Sequence, residues 1–486
     1  MIAEVPSLIA FLAGLVLITN TALAAFVVFL ERRDASATWA WLLVLFFIPI
    51  IGFILYLIFG QNLSRKKIFE WKDEDKIGIM EIAKNQLQLI EEGNFPFHDQ
   101  RTNKYKDLIY MMLINERAVL TQDNEVTIFT DGYEKFRSLL EDIADAKDHI
   151  HILYYILRDD KLGRELLNVL VAKAKRGVQV KVLYDAMGSR SVRRKFFKPL
   201  IEAGGEVSAF FPAILPHLNL QVNYRNHRKI VVVDGKIGYV GGFNIGDEYL
   251  GLDKKFGYWR DTHLRIYGKA VFAMQTRFIL DWNQAADNKI TYQPNYFPEI
   301  VPKGETDIQI VSSGPDSEWE QIKYGMLKMI SSAEKYIYIQ TPYFIPDASV
   351  LDAIKIAVLS GIDVRLMIPS KPDHPFVYWA TYSNVGALLK AGGKVYIYEN
   401  GFIHAKTIVA DGKISTVGTA NMDMRSFRLN FEVNAFLYDQ KLSKELVRIF
   451  EQDMEHSRIL TLEEYNARST KIRFKEAIAR LLSPVL

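Results

Sequence analysis

The chain has 486 residues, of which 24% are charged and 12% are aromatic, and its formal net charge is only +3. This composition is typical of a globular protein and gives no support to a nucleic-acid partner, so we expect none. The absence of cysteine excludes disulfide bonds and thiol chemistry. It leaves the cellular compartment open, because cysteine-free chains occur on either side of a membrane.

Two uncharged apolar segments follow one another near the N-terminus, at residues 5–30 and 38–59. As helices they would be about 39 Å and about 33 Å long, against about 30 Å for the hydrocarbon core of a bilayer. The short polar stretch 31–37 would force them antiparallel, so we predict a transmembrane hairpin over residues 1–62. A signal peptide is disfavoured, because Glu4 precedes the first segment, no basic residue does, and a second span follows.

Three polar residues, Thr19, Asn20 and Thr21, interrupt the first segment. They either join the two helices or mark an interfacial tilt, and the sequence leaves both readings open. A polar connector over residues 63–107 follows, and a helix over residues 81–92 is expected along the membrane surface. Two spans put the N-terminus and the body of the protein on one side. Four basic residues follow the second span (Arg65, Lys66, Lys67, Lys72) and two lie in the turn (Arg32, Arg33), which favours a cytoplasmic body.

The remainder of the chain contains a duplication. An H-x-K-x4-D motif and a downstream asparagine recur at a fixed offset of 177 residues (404 − 227): His227, Lys229, Asp234 and Asn244, then His404, Lys406, Asp411 and Asn421. Upstream, residues 176–183 resemble 360–367, and the apolar run 149–157 resembles 335–343. We therefore predict two repeats of roughly 180 residues, each large enough for its own core, at 108–300 and 301–486.

Each repeat reads as strand, helix, strand, helix and motif strand, which predicts an α/β fold with mixed sheets flanked by helices. Crossover helices are expected at residues 162–175 and 349–359. The period of two along a strand puts the motif histidine and lysine on one face and the aspartate on the other. Each aspartate precedes a glycine between apolar runs, a strong hairpin-turn signal, so we expect it to be mainly structural.

Two histidines and two lysines without cysteine suit phosphodiester exchange in two displacements. One histidine takes the phosphoryl group and the other protonates the leaving alkoxide. The lysines and asparagines would bind the phosphate oxygens, which makes a metal or another cofactor unnecessary. Asp261 and Glu432 follow their histidines at similar distances and are the candidate carboxylates that orient them. No cluster has a zinc-like spacing.

These motifs, with the sequences 223–229, 241–249 and 418–427 around them, resemble those of bacterial cardiolipin synthases in the phospholipase D superfamily. The resemblance implies two pseudo-symmetric halves around one active site in a multi-pass protein of the bacterial cell membrane. It implies that His227 is the nucleophile and His404 the general acid and base. The paired lysines and asparagines would bind phosphate, and Asp234 and Asp411 complete the catalytic motifs. The superfamily often has serine where this chain has Gly242 and Thr419.

The activity implied is transfer of a phosphatidyl group between two phosphatidylglycerol molecules, which gives cardiolipin and glycerol through a phosphohistidine. Two alternatives remain. A phospholipase D or another phosphodiesterase would use water as the acceptor, and an inactive membrane-anchored scaffold would only bind anionic lipid. The motifs do not separate the first two, since the choice of acceptor depends on the shape and dryness of the pocket. Oligomeric state is not indicated.

Two further patches fit a lipid substrate. Basic residues at 190, 193, 194, 195 and 198 surround Phe196 and Phe197, and the apolar loop 210–216 follows. In one interpretation the basic residues attract anionic headgroups while the aromatic residues enter the acyl boundary. In the other, the segment is a solvated basic helix followed by a buried loop. A C-terminal amphipathic helix is also predicted, with one apolar face: Phe474, Ala477, Ile478, Leu481, Leu482 and Val485. That face either lies on the membrane or packs on the body.

Overall fold

The computed structural model describes residues 73–212, 223–481 and 483, together with 11, 14–16, 18–25, 35–48, 51–52, 56 and 68–69. The chain divides into two compact units. The N-terminal unit comprises Met1–Lys66 and Phe211–Tyr224, and the second unit comprises Lys67–Phe210 and Arg225–Leu486.

Within the N-terminal unit, helix α1 spans Ala35–Phe47. The Asn20 side chain donates a hydrogen bond to the Leu45 carbonyl oxygen at 3.1 Å, so this residue joins the two apolar segments, one of the two roles left open by the sequence. The rings of Trp41 and Tyr56 meet edge to face at 5.2 Å. None of the helices described is both long and apolar enough to cross a membrane. Much of the predicted hairpin falls outside the described residues, and it stays a prediction.

The second unit is built on one extended sheet with helices packed against it. The strands of its first half are β1 (Thr121–Phe129), β2 (His149–Tyr154), β3 (Gln179–Asp185), β4 (Glu206–Phe210), β5 (Arg225–Asn226), β6 (Ile230–Val233), β7 (Ile237–Gly241), β8 (Trp259–Arg260) and β9 (His263–Tyr267). The strands of its second half are β10 (Thr306–Ser313), β11 (Tyr336–Gln340), β12 (Phe344–Ile345), β13 (Asp363–Pro369), β14 (Lys394–Tyr398), β15 (Phe402–Ile403), β16 (Thr407–Ala410), β17 (Ile414–Gly418), β18 (Met422–Asp423), β19 (Asn430–Leu437) and β20 (Ser457–Leu460).

The helices of the second unit lie before, between and after these strands. They are α2 (Ile79–Glu91), α3 (Lys106–Glu116), α4 (Gly132–Asp145), α5 (Lys161–Lys175), α6 (Lys198–Glu202), α7 (Ala270–Ala285), α8 (Gln321–Ser332), α9 (Ala348–Leu359), α10 (Pro375–Ala391), α11 (Met424–Arg428), α12 (Gln440–Glu455), α13 (Leu462–Asn466) and α14 (Thr470–Leu481). The predicted crossover helices at 162–175 and 349–359 correspond to α5 and α9.

The strand order repeats between the halves. It is β1-β9-β7-β6-β2-β3-β4 in the first half and β10-β19-β17-β16-β11-β13-β14-β20 in the second, and antiparallel pairing of β1 with β10 joins the two. In each half the crossover strands are parallel and the motif strand is antiparallel to its neighbours. The prediction of a duplicated mixed α/β sheet is therefore confirmed.

The connector does not lie free of the body. Ala83 and Ile90 of α2 are buried in the core of the second half, together with residues of α3 and α8. The predicted helix at 81–92 is present, with bounds shifted by one or two residues, and its buried face packs on protein. Residues 108–116, placed in the first repeat from the sequence, pack in the core of the second half, because the apolar face of α3 lies against α8.

The basic patch at 190–198 is only partly as expected. Phe196 and Phe197 are buried in the core of the first half, and Phe197 stacks on Tyr184 at 5.2 Å between ring centroids. The basic side chains around them are exposed. The expectation that these two aromatic rings enter a lipid phase is therefore wrong, because both rings are buried in the protein core. Residues 213–216 of the adjoining apolar loop lie outside the described residues.

Candidate active site

Two very short strand pairs bring the histidines together. β5 pairs in parallel with the start of β19, and β15 pairs in parallel with β8. Each histidine follows such a strand, and its backbone N–H continues the pairing: His227 donates to the Phe431 carbonyl at 2.9 Å, and His404 donates to the Arg260 carbonyl at 2.7 Å. Each catalytic candidate is thus anchored to the opposite half of the sheet. The motif strands proper, β6 and β16, begin only after the lysines.

The orienting carboxylates are exchanged between the halves. His227 Nδ1 lies 2.9 Å from Glu432 Oε2, and His404 Nδ1 lies 2.6 Å from Asp261 Oδ2. The sequence suggested that each carboxylate serves the histidine it follows. The structure corrects that pairing, because Asp261 follows β8 and Glu432 lies in β19, the strands that hold the backbone of the opposite histidine.

The carboxylates set the tautomer of both imidazoles. Burial by itself raises the pKa of Asp261 and of Glu432, but the neighbouring histidine and lysine charges outweigh burial and leave each pKa below its ordinary value. An ionised carboxylate only accepts hydrogen bonds, so each histidine carries its proton on Nδ1. The Nε2 lone pair of each ring is left for chemistry.

The pKa of both histidines is lowered, and His227 is neutral in the resting site. Burial lowers the pKa of His227 to about 4, with Glu432 opposing the shift. Burial also lowers the pKa of His404, and the nearby Lys406 charge adds to the effect. A neutral imidazole with its Nε2 lone pair exposed to the cavity is the form that attacks phosphorus.

The motif lysines are buried against the backbone of the histidines and are not themselves among the residues that line the cavity. Lys229 Nζ donates to the His227 carbonyl at 2.7 Å, and Lys406 Nζ donates to the His404 carbonyl at 2.5 Å. Lys406 Nζ is also 2.9 Å from His404 Nδ1. This is a contact without a hydrogen bond, because Nδ1 donates to Asp261. Burial lowers the pKa of Lys406 to about 8 and that of Lys229 well below its ordinary value. An anionic phosphate nearby would favour the charged form of both lysines.

The two asparagines line the same cavity as the histidines. Asn244 accepts a hydrogen bond from the Ile156 backbone N–H at 3.1 Å and donates to the Tyr249 hydroxyl at 3.2 Å, so its amide is held in place. The Asn421 backbone N–H donates to Ser426 Oγ at 3.1 Å. The side-chain oxygen of Asn421 is buried without a hydrogen-bond partner among the described residues. Amides beside the histidines are suited to the non-bridging oxygens of a phosphodiester.

The halves differ at Gly242 and Thr419. Thr419 Oγ1 donates to Glu432 Oε2 at 2.5 Å, so its hydroxyl holds the carboxylate that orients His227. At the corresponding place in the other half, a Cβ on Gly242 would overlap the Asp261 carboxylate. The glycine therefore makes room for the shorter aspartate, and the hydroxyl contact of the second half has no counterpart in the first.

Asp234 and Asp411 are not among the residues that line the cavity, and each lies in the turn after its motif strand. Asp234 accepts three backbone hydrogen bonds from residues 147–149 at 2.8–3.0 Å, and Asp411 accepts three from residues 334–336 over the same distances. Both have positive φ, at 52° and 55°. They fix the turn after the motif strand and the start of its antiparallel neighbour, β2 or β11, which is the structural role expected from the sequence.

The cavity has a volume of about 850 Å³ and is lined by both histidines. Five of its lining residues are basic: Arg158, Arg190, Arg225, Lys255 and Arg425. The sequence predicts Arg190 only as part of a surface patch and indicates no role for the other four. The positions of Arg225 and Arg425 could have indicated a place in the site, because they are two residues before His227 and four after Asn421. Three lining residues are acidic, Glu248, Asp373 and Asp423, so the remaining excess of positive charge suits an anionic phosphate ligand. No group of three or more histidine and carboxylate side chains suited to a metal ion occurs in the described part of the chain.

Comparison with known proteins gives consistent matches. The family model "Cardiolipin synthase, PLD-like domain" matches residues 139–271 and 326–454, and the model "Phospholipase_D-nuclease N-terminal" matches residues 21–61. The major cardiolipin synthase of Bacillus subtilis is 62% identical over 481 residues, covering 99% of this chain and 100% of the relative.

The cardiolipin synthase of Listeria welshimeri is 61% identical over 480 residues, covering 99% of this chain and 100% of the relative. A crystal structure of phosphatidylserine synthase from Haemophilus influenzae superposes with a TM-score of 0.61 at 16% identity, covering 80% of this chain and 100% of that one. The likeness at that identity concerns the fold alone.

Proposed function

Since this chain belongs to the cardiolipin synthase family of phospholipase D-like proteins, we propose that it is the phosphatidyltransferase that joins two phosphatidylglycerol molecules into cardiolipin and releases glycerol. The observation that carries the mechanism is the crosswise site: two histidines on one cavity, each with Nδ1 held by a carboxylate of the opposite half.

In the first displacement, Nε2 of His227 attacks the phosphorus of one phosphatidylglycerol. The bond between phosphorus and the glycerol headgroup oxygen breaks, and protonated His404 gives its proton to the leaving alkoxide, which departs as glycerol. The product is a phosphatidyl group bonded to His227. The assignment of His227 as nucleophile follows the family resemblance, and the low pKa of this ring supports it.

In the second displacement, a terminal hydroxyl of a second phosphatidylglycerol gives its proton to His404 and attacks the phosphorus. The bond between phosphorus and His227 breaks, and cardiolipin leaves. His404 is then protonated, as the first step of the next cycle requires. Glu432 and Asp261 stabilise the positive rings formed on the way, and Lys229, Lys406, Asn244 and Asn421 hold the phosphate oxygens.

The acceptor is tested by the lipid products. Purified full-length protein is incubated with headgroup- and acyl-labelled phosphatidylglycerol, and the products are separated. Cardiolipin and glycerol in equal amounts are expected. Phosphatidic acid as the only product would show that water is the acceptor. Lipid that is bound but unchanged would show that the protein is an inactive scaffold.

Matched histidine variants control that experiment. His227→Ala and His404→Ala should be folded and inactive. His98→Ala should stay active, because His98 is an exposed histidine 3.2 Å from Asp123 and lies outside the cavity lining. Full activity of either motif variant would contradict the two-histidine mechanism.

We further propose that residues 1–62 anchor the enzyme in the bacterial cell membrane with the catalytic unit in the cytoplasm. The match of an N-terminal family model to residues 21–61 and the distribution of basic residues support this. The chain has no cysteine, so Lys175→Cys, at an exposed position of α5, would be the only thiol. Protection from a membrane-impermeant maleimide until the cells are lysed is expected, and prompt labelling of intact cells would reverse the topology.

A further inference from the structure

Helix α14 has two faces with opposite surroundings. Its inner face is buried: Ala479 packs with Ile345 and Ala380, and Glu476 accepts a hydrogen bond from Arg468 at 2.9 Å. These contacts fix the helix on α10. The helix therefore keeps a defined orientation on the catalytic unit.

The outer face of α14 is apolar and exposed. Phe474, Ile478 and Leu481 are spaced as i, i+4 and i+7, which places them in one stripe on the side opposite Glu476 and Ala479. Their exposed fractions are 66%, 39% and 79%. A single exposed apolar residue is ordinary, whereas a stripe on a helix that already has a buried face calls for a partner.

The charges around this stripe have one sign. Lys471, Arg473, Lys475 and Arg480 are exposed, and the helix's only acidic residue, Glu476, is buried and paired with Arg468. An apolar stripe with basic borders is the pattern of helices that lie in the plane of an anionic membrane surface. A second protein copy would meet the same positive charges, and no acidic patch accompanies them on this helix.

Helix α14 lies next to the active-site wall. Ala479 of the inner face contacts Ile345, and Ile345 lines the cavity together with His374 and Val377. Phe376, between those two lining residues at the start of α10, is itself 52% exposed. The inner face of α14 therefore packs on the cavity wall, and the stripe lies on the far side of the same helix.

From these contacts we propose that α14 is an interfacial helix that docks the catalytic unit on an anionic bilayer through Phe474, Ile478 and Leu481. Docking there holds the cavity wall formed by β12 and α10 at the lipid surface. That this position helps lipid substrates to enter the cavity rests on the proposed function, whereas the docking itself does not. The sequence left membrane docking and packing on the body as alternatives. In this proposal the inner face of α14 packs on the body and the outer face docks on the membrane.

The first test measures lipid contact directly. Full-length Ile478→Cys, its only thiol, is labelled with an environment-sensitive fluorophore and reconstituted in phosphatidylcholine vesicles with or without phosphatidylglycerol. Emission should shift to the blue and be quenched by nitroxide lipids, more strongly in the anionic vesicles. The matched control is Val301→Cys, an exposed aliphatic position just before β10, at the end of the sheet remote from the histidines. It should show neither effect.

Other occupants give other outcomes. If the fluorophore at 478 is dehydrated in both kinds of vesicle but is not quenched by nitroxide lipids, the N-terminal segment of the same chain covers the stripe. A signal that rises with protein concentration in detergent would indicate a second copy. Equal behaviour at positions 478 and 301 in vesicles would also overturn the proposal.

The second test separates docking from chemistry. The variant F474S/I478S/L481S should raise the apparent KM for vesicle phosphatidylglycerol at least about tenfold, because three apolar side chains no longer enter the bilayer. Its kcat on short-chain, monomeric phosphatidylglycerol should equal that of the wild type. An equal loss on both substrates would contradict interfacial docking. Absence of cardiolipin with wild-type protein would instead refute the proposed function and leave the fluorescence result standing.

Discussion

Replacing Glu432 by glutamine should disable His227, although the two residues belong to different halves. The carboxylate accepts hydrogen bonds from His227 Nδ1 at 2.9 Å, Thr419 Oγ1 at 2.5 Å and Asn430 Nδ2 at 3.1 Å. Each of these partners is a donor, so an amide nitrogen placed there faces another donor. If it faces His227, the imidazole proton moves to Nε2 and the attacking lone pair is lost.

The size of the effect follows from the lost charge. The positive charge of the phosphorylated ring lies about 4 Å from the carboxylate, which corresponds to about 4 kcal/mol at an effective dielectric constant of about 20. At about 1.4 kcal/mol per factor of ten, turnover should fall about 10³-fold. The assay is the rate of cardiolipin formation from labelled phosphatidylglycerol.

Site-resolved acylation with diethylpyrocarbonate shows which histidine is affected. Glu432→Gln should slow acylation of the peptide that contains His227 and leave that of His404 unchanged. Asp261→Asn is the matched variant and should do the reverse. The crosswise assignment is refuted if each substitution instead slows the histidine of its own half, or if Glu432→Gln turns over like the wild type.

Three further outcomes follow from the site. Burial lowers the pKa of Lys406 to about 8, so its charge is lost as pH rises through that value and kcat/KM should fall on the alkaline side; a kcat/KM that keeps rising beyond it would contradict this role. Gly242→Ser should nearly abolish turnover, because the added Cβ displaces the Asp261 carboxylate. Thr419→Ser keeps the hydroxyl that contacts Glu432 and should retain activity; equal turnover of the two variants would argue against this difference between the halves. Chelator in detergent should leave turnover unchanged, since fixed lysines supply the positive charge, and a strict requirement for added zinc or magnesium would oppose this.

The duplicated motif carried most of what the sequence could predict. Its fixed offset gave the two repeats and the mixed sheet, and the alternation along a strand separated His227 and Lys229 from the turn residue Asp234. These features are local, because they depend on spacing within one strand and its turn. The three backbone hydrogen bonds that each motif aspartate accepts are the physical reason that the position holds an aspartate.

The features that the sequence did not give depend on contacts between distant segments. The exchange of Asp261 and Glu432 rests on strand pairs of two residues each, which are too short to leave a periodic pattern. Whether Phe196 points to lipid or to a core depends on what packs over it. The same holds for α3, whose apolar residues could fill either core until its contact with α8 is known.

The covalent intermediate identifies the nucleophile. Wild-type enzyme and His227→Ala are mixed with phosphatidylglycerol, quenched in alkali, where phosphohistidine survives, and digested for mass spectrometry. The mechanism predicts a phosphatidyl adduct, intact or deacylated by the alkali, on the wild-type peptide that contains His227, with none on the peptide that contains His404 in either protein. An adduct on His404, or continued cardiolipin formation with no adduct on either histidine, would contradict it.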